Sequence, residues 1–352
     1  MCIRDRDYSA GSNTGTSSPI VVSSLTAGTA ATAKVWAINA YGTSAPSGAS
    51  ASFTPSAVTI GLYFGGYIGN YSNIIQKISF TSGSDATDFG DLTAVVYDNA
   101  AVSSSTRGVS AGGTSGSDKS NVMDYVTISS AGNATDFGDL LAGTRGLVGA
   151  GNNTRGIFAG GATGSANYIN VIQYITIANT GNATDFGDLS SANSTSGGLS
   201  STTRTIFLGG ITSNGAVDTI EYVTTGSTGN VTDFGNLLSA RGYSRASSNS
   251  IRGLYWGGYN GSESLSEINY ITIATTGNAA EFGSLLSRNA FNASCANSTT
   301  SLCLGGSSDA STRRDTIQGV TIATTGNSTD FGDLLAAAFG FAACSNAHGG
   351  IA

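Results

Sequence analysis

A triplet built on Asp-Phe-Gly returns at an almost constant interval along this chain. Its acidic residue stands at Asp88, Asp136, Asp185, Asp233, Glu281 and Asp330, with gaps of 48 or 49 residues. The phenylalanine never changes (Phe89, Phe137, Phe186, Phe234, Phe282, Phe331), nor does a leucine three residues later (Leu92, Leu140, Leu189, Leu237, Leu285, Leu334). A Gly-Gly pair keeps the same beat, beginning at Gly65, Gly112, Gly160, Gly209, Gly257 and Gly305. Such a period requires stacked copies of one supersecondary unit, none of which buries its apolar surface alone.

Each unit reads as strands parted by turns. GIFAGG (Gly156 to Gly161) is a short apolar strand closed by glycines. NVIQYITI (Asn170 to Ile177) is rich in β-branched residues, as a strand prefers. It carries apolar side chains at both parities: Val171, Ile175 and Ile177 on one, Ile172 and Tyr174 on the other. A strand apolar on both faces is covered on both faces. Thr-Gly-Asn then marks a turn, DFGDL leads into a short outer strand, and a Ser/Ala-rich segment such as SRASSNS (Ser244 to Ser250) suits a crowded position. Four doubly covered strands per repeat predict an all-β fold, a β-propeller of four-stranded blades.

The order of these features resembles kelch repeats. The resemblance rests on the apolar strand ending in Gly-Gly, on a tyrosine in the third strand (Tyr125, Tyr174, Tyr222, Tyr270), and on Arg145, Arg241 and Arg288 ahead of the small-residue strand. The family's tryptophan at the start of the outer strand is replaced by the Asp-Phe-Gly phenylalanine. The resemblance covers residues 59–352 and implies a propeller. The repeats begin in a second strand (Gly61 to Gly66) and end after a first strand (about Phe339 to Asn346), so the last strand can complete the first blade of a ring of six. His348-Gly349-Gly350-Ile351 also reads as the start of another Gly-Gly strand, which leaves a seventh, truncated blade as the rival count.

Residues 8–55 differ. Ser17 to Leu25 and Ala33 to Ala40 alternate as strands. The Leu25-Thr26-Ala27-Gly28-Thr29 corner, the Val35-x-Ala37-x-Asn39 strand and the Gly42-Thr43-Ser44-Ala45-Pro46 turn resemble the second half of a fibronectin type III domain. Ala31 stands where that family's corner carries an aromatic. The expectation is a partial β-sandwich over 8–55, a linker over 56–58, and a foreign leader at 1–7.

Composition narrows the partners. A net charge of −7 with only three lysines argues against a nucleic-acid surface, and no apolar run approaches the roughly 20 residues that span a bilayer. Of the cysteines, Cys295 and Cys344 occupy equivalent repeat positions, where either a disulfide or two small buried side chains fit; the second is favoured.

Candidate chemistry is sparse. Six copies of Asp-Phe-Gly without kinase companions read as structure: Asp capping a turn, Phe packing between blades, Gly bending the chain. Asp136 with Asp139, and Asp185 with Asp188, beside Asn133 and Asn182, offer oxygen ligands for calcium; turn capping is the preferred reading. Arg107, Arg155, Arg204 and Arg252 should form a ring at the first turns, either solvated or able to bind anionic sugars. His348 is the sole histidine, which removes a Ser-His-Asp triad and a histidine-built zinc site. No catalytic residue, metal ligand or cofactor is assigned, and no position conspicuously breaks the repeat. The loops after Gly-Gly vary most, and Tyr67, Tyr168 and Tyr259 are the expected contacts for a ligand there. The reading is a non-enzymatic adhesion or structural module, extracellular or virion-associated, meeting a cell-surface glycan or protein. The alternative is a carbohydrate-active enzyme or its accessory domain.

Overall fold

The computed structural model describes residues 58–80, 85–116, 118–165, 167–194, 196–309 and 311–351, with scattered positions between 32 and 50. The chain divides into two units at Val58/Thr59. In the first, Ile38–Asn39 pairs antiparallel with Gly42–Thr43. The leader, the Leu25 to Thr29 corner, Val35, Ala37 and Cys2 lie outside the described residues.

The second unit is a β-propeller of six antiparallel four-stranded blades. Blade 2 shows the plan, from axis to rim: Ala100–Ser103, Arg107–Ala111, Val122–Thr127 and Thr135–Asp139. The innermost strands of successive blades touch one another around the axis. That crowding is why small residues dominate them, as in Gly197–Ser200 and Ala293–Ala296. Blade 1 is completed from the far end of the chain: Ala342–Ser345 pairs with Ile60–Phe64, setting Cys344 opposite Leu62. The ring therefore closes with six blades.

The segment read as the rival start of a seventh blade does something else. His348 Nε2 lies 3.1 Å from the Ser103 carbonyl in blade 2, while its Nδ1 accepts the Gly350 N–H at 3.1 Å. Gly349 N–H donates to Ser248 O in blade 5 (2.8 Å), and Asn153 N–H in blade 3 donates to Gly350 O (3.1 Å). The tail thus crosses the axis and stitches three other blades together. A Cβ on Gly350 would strike the Gly151 carbonyl, so only glycine passes there. The pair resembled a repeat landmark in sequence, but its conformation and role differ. Inside this plug the inner strands enclose a cavity of about 50 Å³.

The core lies between blades. Phe137 and Leu140 of blade 2 share a cluster with Phe158 and Ile175 of blade 3. Phe89, Phe137, Phe186, Phe234 and Phe282 are buried, and Phe331 is partly buried. Each sits at a β-bulge: Met123 pairs with Gly138 and Asp124 with Asp136, which leaves Phe137 as the extra residue. The acidic residue of the triplet is an exposed strand residue, not a turn cap. The bulge instead receives the next blade. Gly181 N–H donates to Phe137 O (2.7 Å), Ala183 N–H to Asp139 O (2.8 Å), and Asn182 Oδ1 accepts Asp139 N–H (3.0 Å). The pattern repeats around the ring, with Asp85 replacing asparagine where blade 6 meets blade 1. The triplet's glycine leaves room for that turn. At Gly187 φ is 153°, and a Cβ would strike the Gly229 carbonyl.

A second bond crosses every interface. A buried polar side chain in the third strand accepts the N–H that follows the invariant leucine of the preceding blade: Leu141 N–H to Gln173 Oε1 (2.8 Å), Leu335 N–H to Gln76 Oε1 (2.9 Å). Asp124 and Glu221 fill this place in two blades, and burial raises both carboxyls against the hydrogen bonds from Thr93 and Ser190.

Candidate functional site

Antiparallel order sends the first and third turns of each blade to one face of the ring. The loops after Gly-Gly and the crossings to the next blade go to the other.

On the first face, the four arginines are neither solvated nor available. Arg107 stacks on Tyr125 (4.3 Å to the ring centre) and donates to Ile177 O (2.9 Å) and Ala178 O (3.0 Å) of the next blade. Arg155, Arg204 and Arg252 do the same with Tyr174, Tyr222 and Tyr270 and the carbonyls of Thr225, Ile273 and Ile322. Each tyrosine in turn meets its blade's triplet phenylalanine edge to face, as Tyr174 does Phe186 at 5.9 Å. The arginines therefore staple blades together, which replaces both the solvated-charge reading and its anion-binding alternative. The signal was present in sequence: blades with arginine have the tyrosine, while blades 1 and 6 carry Ile60 with Lys77 and Thr300 with Gly319.

The calcium reading fares similarly. Asn182 spends its oxygen on Asp139 N–H of the blade before it, and Asn133 on Asp91 N–H. No cluster of three or more metal-ligating side chains occurs among the described residues. Cys295, Cys303 and Cys344 are free and buried, and burial raises all three thiols, that of Cys344 to about 12.

The opposite face carries aromatic rings in an unbroken arc. Tyr71 meets Tyr67 at 5.8 Å, and Tyr67 meets Phe339 at 5.4 Å, with Tyr97 packed against all three. Phe339 leads to Phe291 (5.9 Å), Phe291 to Tyr243 (4.5 Å), and Tyr243 to Tyr259 (6.4 Å). Tyr67 and Tyr259 thus belong to one surface, and Tyr168 is close enough to influence the Tyr243 hydroxyl. At the Tyr259 end the arc opens into a cleft of about 520 Å³, where Tyr243, Tyr259 and Phe291 face Glu263, Arg288 and Asp309. Glu263 and Arg288 form an ion pair. Asp309 accepts the N–H groups of Ser311 and Thr312 at 2.9 and 2.7 Å, which holds its carboxyl well below the usual range.

Sequence reasoning missed the residues nearest the axis. Six positions beyond the invariant leucine lie Asp98, Gly146, Tyr243, Phe291 and Gly340 in five of the blades. Asp98, Tyr243 and Phe291 are left-handed (φ 60°, 52° and 57°), as are Gly146 and Gly340. Neighbours join through the backbone: Gly146 N–H to Asp98 O (2.8 Å), Asp98 N–H to Gly340 O (2.7 Å), Gly340 N–H to Phe291 O (2.8 Å). Left-handed non-glycine residues are held only where the surroundings compel them, and they gather at functional sites. This column breaks the repeat.

Asp98 is buried between two cations, 3.7 Å from Arg145 Nη1 and 3.7 Å from Arg245 Nη2. Arg245 stands at the head of the blade 5 inner strand, where other blades carry Ala100, Val148, Gly197, Ala293 and Ala342. It reaches across the axis to the opposite blade. Burial raises the Asp98 carboxyl, against the pull of both arginines.

A scan against protein-family models found no match, and a search of curated proteins found no relative.

Proposed function

We propose that the propeller is a non-enzymatic binding module that holds a glycan on the face bearing the varied loops. The aromatic arc from Tyr71 to Tyr259, ending in the cleft, carries this reading. Partly exposed ring faces present flat apolar area suited to a sugar's C–H face, and the adjoining Glu263, Arg288 and Asp309 supply hydroxyl partners. Tyr67, Tyr168 and Tyr259 remain the assigned contacts, joined now by Tyr243 and Phe291. The Ser/Thr/Gly-rich, lysine-poor composition favours an extracellular or virion adhesion role, with the propeller as a divergent kelch-like form behind a partial fibronectin type III domain.

The test is binding to a glycan panel by the intact chain and two variants. Tyr67→Ala/Tyr168→Ala/Tyr259→Ala should lose binding. Ile251→Ser, an exposed substitution on the opposite face, should keep it. Retained binding in the triple variant, or loss in Ile251→Ser with the fold intact, would refute the choice of face. Turnover of any bound glycan would refute the non-enzymatic assignment.

A further inference from the structure

Ten arginines lie between Thr59 and Ala352, and eight have a clear structural partner. Four are the blade staples. Arg241 meets Glu267, Arg288 meets Glu263, Arg313 lies over the Tyr67 ring, and Arg314 donates to Arg288 O. Arg145 and Arg245 remain, and they share the single carboxylate of Asp98.

That carboxylate does not satisfy them. Both separations are 3.7 Å, whereas a charge-assisted hydrogen bond is about 2.7–2.9 Å. Arg145 Nε is buried without a hydrogen-bond partner. Arg245 otherwise reaches only the carbonyls of Ser244 (3.2 Å) and Ser196 (3.5 Å). Two guanidiniums against one carboxylate leave a net positive charge at the axis of a chain whose net charge is −7. Tyr97 and Tyr243, both links in the aromatic arc, stand within electrostatic range of this cluster. Arg145 is one-third exposed, so the cluster is open to solvent on the loop face.

We propose that Arg145 and Arg245 anchor the carboxylate of an acidic sugar, a uronic- or sialic-type residue, whose ring lies against Tyr97 and Tyr243. This inference rests on the glycan reading above and narrows it to a substrate class. Guanidinium forks match carboxylate geometry in pairs, and Asp98 holds the two forks at the axis without saturating them. An acidic sugar presents a carboxylate beside an apolar ring face, which is the combination this corner of the arc receives.

The experiment titrates the intact chain calorimetrically with glucuronate, glucuronamide, glucose and acetate. Glucuronate should bind at least about tenfold more tightly than the other three, the difference of one charge-assisted contact. Arg145→Gln should weaken glucuronate about tenfold and leave glucose unchanged. Asp98→Asn removes the competing carboxylate and should tighten glucuronate, a gain that a damaged fold cannot produce. Equal affinity for glucuronate and glucuronamide, or for glucuronate and acetate, overturns the proposal. So does an unchanged Arg145→Gln, or an Asp98→Asn that binds glucuronate more weakly. If sugars bind regardless of charge, the glycan reading survives and only the acidic anchor falls; if no glycan on the panel binds, both fall.

Discussion

Individual side chains divide into those that hold blades together and those that face outward. Phe186 is the plainest of the first kind. It is buried between blades 3 and 4, beside Leu189 and Phe207. Phe186→Ala should cost about 3–5 kcal/mol, read as a lower denaturation midpoint with an unchanged slope. Glu221 makes a subtler case. Its folded-state carboxyl is raised by burial, so its contribution is most favourable at low pH and falls as pH climbs through the ordinary glutamate range. Glu221→Gln keeps an acceptor and matches Gln76, Gln173 and Gln318 at the equivalent place. The variant should gain about 0.5–2 kcal/mol at pH 7, with the gain shrinking toward pH 4; thermal melts across that range check it. Both roles had different legibility. An invariant phenylalanine at a fixed period could only be scaffold. Asp98, Tyr243 and Phe291 gave no such signal, because their importance lies in a left-handed backbone that side-chain chemistry does not announce. The arginines misled because charge suggests solvent, whereas here stacking on tyrosine and carbonyl acceptors in the next blade replace it.

At the scale of the element, the unit that repeats is not the unit that coheres. Thr-Gly-Asn and Asp-Phe-Gly are neighbours in sequence, yet each blade's turn locks into the bulge of the blade before it. Two predictions separate the parts of this lock. Gly187→Ala places a methyl against the Gly229 carbonyl at φ 153° and should cost at least about 2 kcal/mol. Asn182→Ala removes one exposed acceptor for Asp139 N–H, leaves the two backbone bonds, and should cost about 1 kcal/mol. Chemical denaturation of both variants ranks them; an asparagine variant worse than the glycine variant would mean the side chain, not the close approach, holds the interface. Four strands per repeat were readable from alternation and turn residues. The lock was not, because it pairs residues about 43 positions apart, Asp139 with Asn182, whose link only the ring's curvature creates.

For the whole molecule, the tail is where sequence misdirects most. Gly349-Gly350 imitates the repeat's landmark, but the segment bars the axis instead of pairing as a strand. His348 is neutral there, since Nδ1 accepts from Gly350 N–H while Nε2 faces Ser103 O, and burial lowers its pKa from the ordinary 6.5. A lowered histidine contributes stability that is present above the ordinary value and lost as pH falls below it. Protection factors of the Gly349 and Gly350 amides, corrected for the intrinsic pH dependence of exchange, should therefore fall between pH 7 and 5, while those in the blade cores stay high; His348→Gln should flatten that response. The same region holds another consequence, in the order of synthesis. Ile60–Phe64 is made early, but its neighbour Ala342–Ser345 is made some 280 residues later. At roughly 5–20 residues per second, that is a delay of tens of seconds. Throughout it, a nascent chain carries an apolar strand with one unpaired edge, the kind that recruits other chains. Ribosome-bound intermediates of this protein must keep that strand shielded until Ser345 has emerged.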